Sequence, residues 1–205
     1  MTDYPIPSRR PGAPAVPSIL AIGASTGGPK AVMSILKALP DSFGGAIIVV
    51  QHIADGCDLG FAQWLDRECR IPVRLAEDGA ALRRGEVLVA PNGYHLRLDF
   101  GVVRLEPGAP VNCCRPSIDV FLESLAEEPC RHVVGVLLTG MGKDGARGMA
   151  ALREKGGVTI VQDQQSCAIF GMPKAAIQLG AAQQVLPLPE IPGTLLRLFP
   201  NAPPA

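Results

Sequence analysis

Apolar runs alternating with amphipathic segments predict an α/β fold for this 205-residue chain. The expected architecture has three layers: a mostly parallel, doubly wound sheet, helices on both faces, and one antiparallel hairpin. Three observations carry that reading. Ala46–Gln51 and residues 132–138 are short apolar runs rich in β-branched residues, the pattern of strands buried on both faces. Residues 29–39 place Val32, Ile35, Leu36 and Leu39 at helical spacing, with Pro29 suited to a first helical turn. Two alternating segments, 94–100 and Val102–Glu106, flank Gly101 and read as the hairpin.

The remaining elements follow in order. Residues 18–23 form a short apolar strand ending in glycine. Residues 59–69 read as a helix and 86–90 as a strand. Residues 117–127 read as a helix capped by Ser117. A helix over 146–155 is closed by Gly156 and Gly157. Val158–Gln162 is a strand, 173–179 a helix, Gln184–Leu186 a strand and Ile191–Leu198 a final helix. Residues 1–17 carry five prolines, which favour extended backbone, so they read as a tail. Residues 200–205 read as a second tail, leaving one domain over 18–199.

Composition excludes several classes of function. Hydrophobic residues make up 47% and charged residues 19%, a globular balance. The 19 basic and 19 acidic side chains cancel, so no charge excess argues for nucleic acid. No apolar run is long enough to span a membrane, and prolines interrupt any signal-peptide core. The six cysteines contain no Cys-x-x-Cys pair, which argues against a zinc ribbon or a thioredoxin-type motif and fits a reducing cytoplasm.

In a doubly wound sheet, ligands bind beyond the carboxyl ends of the strands. Ser25 lies there, in Gly23-Ala24-Ser25-Thr26-Gly27, between the first strand and the first helix. This is the Gly-x-Ser-x-Gly pattern in the strand-turn-helix context it requires. A nucleophilic serine needs a tight turn that exposes its hydroxyl. Thr26, Gly27 and Gly28 would offer backbone N–H groups to an oxyanion. The alternatives are a plain glycine turn or a phosphate loop. A dinucleotide loop needs glycine where Ser25 stands, and a Walker loop needs Gly-Lys-Ser/Thr where Gly28-Pro29-Lys30 stands.

The chain has three histidines: His52, His95 and His132. His132 starts a strand and so falls at the wrong end of the sheet. His95 opens the hairpin and its side is open. His52 ends the strand Ala46–Gln51, at the edge where Ser25 lies, and is the candidate base. Asp144, in the glycine-rich loop after residues 132–138, is the candidate carboxylate to orient it; the plainer role is a helix N-cap. Asp163 is the reserve, and Asp55 and Asp58 lie at similar edges. The order Ser, His, Asp differs from the Ser, Asp, His of common α/β-hydrolases.

From Ile19 to about Leu186 the chain resembles the catalytic domain of chemotaxis-type protein-glutamate methylesterases. The resemblance lies in Ile22-Gly23-Ala24-Ser25-Thr26-Gly27-Gly28-Pro29, Gln51-His52 and Ala90-Pro91-Asn92-Gly93-Tyr94-His95. It continues in Arg115-Pro116-Ser117-Ile118-Asp119, Leu138-Thr139-Gly140-Met141-Gly142-Lys143-Asp144-Gly145 and Gly171-Met172-Pro173-Lys174-Ala175-Ala176. It implies Ser25 as nucleophile, His52 as general base and Asp144 as its orienter. It adds Met141, whose backbone helps form the oxyanion site. The implied substrate is a glutamate γ-methyl ester on a cytoplasmic, chemoreceptor-like protein, with glutamine deamidation as an associated activity. No metal or organic cofactor is implied. A hydrolase of another ester and a non-catalytic scaffold of the same fold stand as alternatives. Family members typically carry a receiver domain ahead of this one. Only the 17-residue tail precedes the first strand here, so the expectation is constitutive activity, a separate regulatory partner, or a fragment of a longer protein.

Overall fold

The computed structural model describes residues 16–128 and 132–200. Most of the expected N-terminal tail and all but the first residue of the C-terminal one lie outside the described residues. The strands are β1 (Ile19–Ala24), β2 (Ala46–Gln51), β3 (Val73–Leu75), β4 (Val87–Val89), β5 (His95–Asp99), β6 (Val102–Glu106), β7 (Val133–Leu137), β8 (Val158–Gln162) and β9 (Gln184–Leu186). The helices are α1 (Gly28–Ala38), α2 (Asp58–Glu68), α3 (Ile118–Ala126), α4 (Ala146–Glu154), α5 (Met172–Gln178) and α6 (Ile191–Leu198).

Seven strands form one sheet in the order β3-β4-β2-β1-β7-β8-β9, every pair parallel. Strands β5 and β6 form the separate antiparallel hairpin. Alternating residues of the buried strands feed two cores. Leu20, Ile22, Ile47, Val49, Val134 and Val136 face α1, α2 and α6. Ile19, Ala21, Ile48, Val50, Val133 and Leu137 face α3, α4, α5 and the hairpin. The three expected layers are therefore present. Burying apolar surface on both faces supplies the main driving force, about 25 cal/mol per Å² removed from water.

The pattern missed β3. Its three residues, Val73-Arg74-Leu75, are too few to show a period. The strand sits at the sheet edge, and fixed polar contacts hold it there. The Val73 N–H donates to Asp66 Oδ1 at 2.8 Å, and Arg74 Nε donates to Glu86 Oε1 at 2.7 Å. Among the described residues no helix is long and apolar enough to cross a membrane.

The topology fixes where a ligand can bind. From β1 the chain builds outward first through β2 and later, on the other side, through β7. The loops leaving β1, β2 and β7 diverge there, at the strand-order reversal where ligands bind in open α/β sheets.

Candidate active site

Ser25 is the first residue beyond β1. The neighbouring strands clamp its turn from both sides. From β2, the buried Gln51 donates its amide to the carbonyls of Ser25 (2.9 Å) and His52 (2.8 Å). From the β7 side, the Thr139 carbonyl accepts the Ser25 N–H (3.0 Å), while the Thr139 hydroxyl donates to the Thr26 carbonyl (2.9 Å). Gly27 closes the turn in the left-handed region, at φ 80, where glycine carries no steric penalty. Gly140 lies so near that a Cβ on it would come within 2.6 Å of Ser25 Cβ. The loop after β7 thus passes against the serine.

The N–H groups expected around an oxyanion divide. That of Gly28 donates to the Ser25 carbonyl at 2.8 Å, so it is committed to the turn, a correction to the sequence reading. Among the described residues, the N–H groups of Thr26, Gly27 and Met141 carry no intramolecular hydrogen bond. Thr26 is exposed and Met141 is 73% exposed.

His52 follows β2, and its N–H donates to the Ala24 carbonyl at 2.9 Å, extending the pairing of β1 and β2. Its Nε2 lies 2.9 Å from Asp144 Oδ2. Its Nδ1 lies 3.6 Å from the thiol sulfur of Cys114. Both ring nitrogens are therefore engaged, and the Ser25 hydroxyl is not yet one of their partners.

Asp144 is 2% exposed and acts differently from a plain helix cap. The N-cap of α4 is Gly145. Asp144 instead caps the neighbouring α3, accepting the N–H groups of Ile118 (2.7 Å) and Asp119 (3.2 Å). It also accepts from the Ser117 hydroxyl (2.7 Å) and the Asn112 amide (2.8 Å). Burial alone would raise its pKa. The hydrogen bonds from His52, Asn112, Ile118 and Ser117 outweigh burial and hold the carboxyl below its usual range. The α3 N-terminus adds favourable dipole. Burial likewise pulls His52 down, but its bonds to Asp144 and Cys114 prevail and lift it from 6.5 to about 9.

The other expected candidates lie elsewhere. His95 is buried at the start of β5, within the hairpin; its ring nitrogens meet the Ala109 carbonyl (3.0 Å) and the Ser117 N–H (3.2 Å), a structural role. His132 packs edge-on against Phe199 at the far end of β7. Asp163 orders its own turn by accepting from Ser166. Asp58 accepts the Asn92 N–H (2.9 Å), and Asp55 lines a cavity of about 530 Å³ beside His52. Sequence reasoning missed Asn112, Cys114, Gln51 and Thr139. Ser117 carried a signal as a helix cap, and it does accept the Val120 N–H (3.4 Å), but its bond to Asp144 was invisible in the sequence.

The family model described as CheB methylesterase matches residues 20–195. Protein-glutamate methylesterase/protein-glutamine glutaminase 2 of Anaeromyxobacter dehalogenans is 48% identical over 193 residues, covering 93% of this chain and 57% of that protein. Protein-glutamate methylesterase/protein-glutamine glutaminase 3 of Pseudomonas aeruginosa is 48% identical over 184 residues, covering 88% and 54%. The chain thus spans little more than half the length of these relatives. The crystal structure of the Thermotoga maritima CheB methylesterase catalytic domain superposes with a TM-score of 0.85 at 38% identity, covering 89% of this chain and 99% of that one. A family match across nearly the whole described fold, with Ser25, His52 and Asp144 at adjacent strand ends, places the chain in the CheB methylesterase family.

Proposed function

We propose that residues 18–199 form a serine hydrolase unit that removes the methyl group from glutamate γ-methyl esters of chemoreceptor-like proteins and releases methanol. The observation that carries this reading is the His52–Asp144 contact of 2.9 Å, one strand away from a serine held on a tight turn. The names of the relatives supply the substrate class.

The chemistry follows from the hydrogen bonds. Asp144 occupies Nε2 of His52, so Nδ1 is the nitrogen that accepts the Ser25 proton. For that to happen the Ser25 hydroxyl takes the place of the Cys114 thiol at Nδ1. Ser25 Oγ attacks the ester carbonyl, and the N–H groups of Thr26, Gly27 and Met141 receive the oxyanion. His52 returns the proton to departing methanol. Water then attacks the acyl-enzyme by the same route and frees the glutamate. Attack on a glutamine side chain by the same steps would release ammonia, which extends the reading to deamidation.

Methanol release from a methylated receptor fragment tests the proposal. Ser25→Ala is expected to lower turnover by about four orders of magnitude or more with an unchanged melting temperature. Undiminished release would overturn it. Comparison with small alkyl esters separates a receptor esterase from a hydrolase of another ester.

A further inference from the structure

The segment that brings Cys114 to His52 is a two-residue hairpin. Val111 and Cys114 exchange both backbone hydrogen bonds, at 3.1 and 3.0 Å. The two residues between them, Asn112 and Cys113, have φ of 52 and 63. Positive φ at both central positions is the signature of a type I′ turn, which asparagine accepts readily and cysteine less so. The turn is anchored through Asn112, whose amide donates to Asp119 Oδ2 and to Asp144 Oδ1, each at 2.8 Å. Its consequence is a fixed place for the Cys114 sulfur, 3.6 Å from His52 Nδ1.

That separation has a chemical meaning. A tetrahedral zinc ion binds thiolate sulfur at about 2.3 Å and imidazole nitrogen at about 2.0–2.1 Å, which sets the two donors about 3.6 Å apart. The other side of the ring matches as well. Metal-bound imidazoles commonly donate their second N–H to a carboxylate, which fixes the tautomer and raises ligand basicity. Asp144 stands in that position on Nε2, so Nδ1 is the ring nitrogen turned to the sulfur. Donor atoms of His52, Cys114 and Asp144 all lie within 4.8 Å of one another. His52 and Cys114 both line the cavity of about 530 Å³, which gives an ion an entry path and room for water at its remaining positions.

From this geometry we propose that His52 Nδ1 and Cys114 Sγ bind a thiophilic divalent cation, zinc being the ion they fit, and that the bound ion inhibits the hydrolase. The inhibitory part rests on the proposed role of His52 as base. Thiolate and imidazole together select zinc over magnesium or calcium. On binding, the Cys114 S–H bond and the Nδ1–H bond of protonated His52 break, both protons go to solvent, and Zn–S and Zn–N bonds form without any change of oxidation state. The nitrogen that would take the Ser25 proton is then occupied, so the nucleophile loses its base.

Zinc binding to the full chain carrying Ser25→Ala is measured by competition with a chromophoric chelator. Cobalt substitution supplies a thiolate-to-metal charge-transfer band. Adding Cys114→Ser is expected to abolish the band and weaken zinc binding about tenfold or more, whereas adding Cys113→Ser leaves both in place. On the unsubstituted chain, zinc is expected to slow alkylation of Cys114 by iodoacetamide about tenfold, read by mass spectrometry, so the test does not depend on one variant folding. Zinc also slows ester hydrolysis, chelator restores it, and half-inhibition of the Cys114→Ser chain needs about tenfold more zinc. Unchanged metal binding in Cys114→Ser, or Cys114 alkylation indifferent to zinc, overturns the site. The binding and alkylation readouts need no turnover, so failure of the esterase reading leaves them decisive.

Discussion

The two ends of the Ser25–His52–Asp144 row are built on opposite plans. Asp144 is buried and meets donors from His52, Asn112, Ser117 and two N–H groups at the start of α3. Ser25 is half-buried; its backbone is clamped by Gln51 and Thr139, while the N–H groups of Thr26 and Gly27 beside it carry no backbone hydrogen bond. The difference teaches which parts of the site are organised before substrate arrives. The charge that must stay ionised in a dry place is surrounded by donors in advance, because an unpaired buried carboxylate is prohibitively costly. The serine proposed to act on the substrate is held in position by backbone contacts, and the N–H groups proposed to receive the oxyanion are left unsatisfied.

The sharpest way to break this contrast is Asp144→Asn. An amide nitrogen then faces several donors, and His52 loses its charged partner. Turnover is expected to fall about 10⁴-fold, with the loss in kcat rather than KM. The melting temperature is expected to fall by about 5 °C or more, read by calorimetry, because buried donors lose their acceptor.

Next is the pH profile. His52 accepts a proton only when neutral, and its bonds to Asp144 and Cys114 lift it to about 9. The rate is therefore expected to climb with rising pH towards about 9. Cys114→Ala removes one of the contributions that raise His52, so the climb is expected to move to lower pH. A profile that does not move would mean that Cys114 leaves the base during turnover.

The smallest expected effect is that of Met141→Ala. Its side chain is 73% exposed and its proposed contribution is the backbone N–H. Turnover on a small ester is expected to change by less than about threefold, near the size of ordinary surface substitutions. A loss of about a hundredfold would instead assign a role to the thioether side chain.

Much of the fold was legible because each long element carries its own period. The apolar runs of β1, β2 and β7 and the helical spacing in α1 required no partner to be recognised. Three-residue β3 did not show itself, being too short for any period and fixed by Asp66 and Glu86 instead. Ser25, His52 and Asp144 were legible as polar residues just past strand ends, a location with meaning only in a parallel sheet. Asn112 and Cys114 carried no such mark. They reach the site through contacts spanning 32 residues to Asp144 and 62 to His52.

By itself, then, the sequence determined the strands, the helices and the three residues at their ends, because local periodicity and glycine-rich turns are short-range properties. Only the tertiary structure decided that Asp144 caps α3 rather than its own helix, that Gly28 is spent on the turn, and that Cys114 stands at His52 Nδ1. Those outcomes depend on how the segment before α3 folds across the strand ends, a packing result that no local pattern encodes.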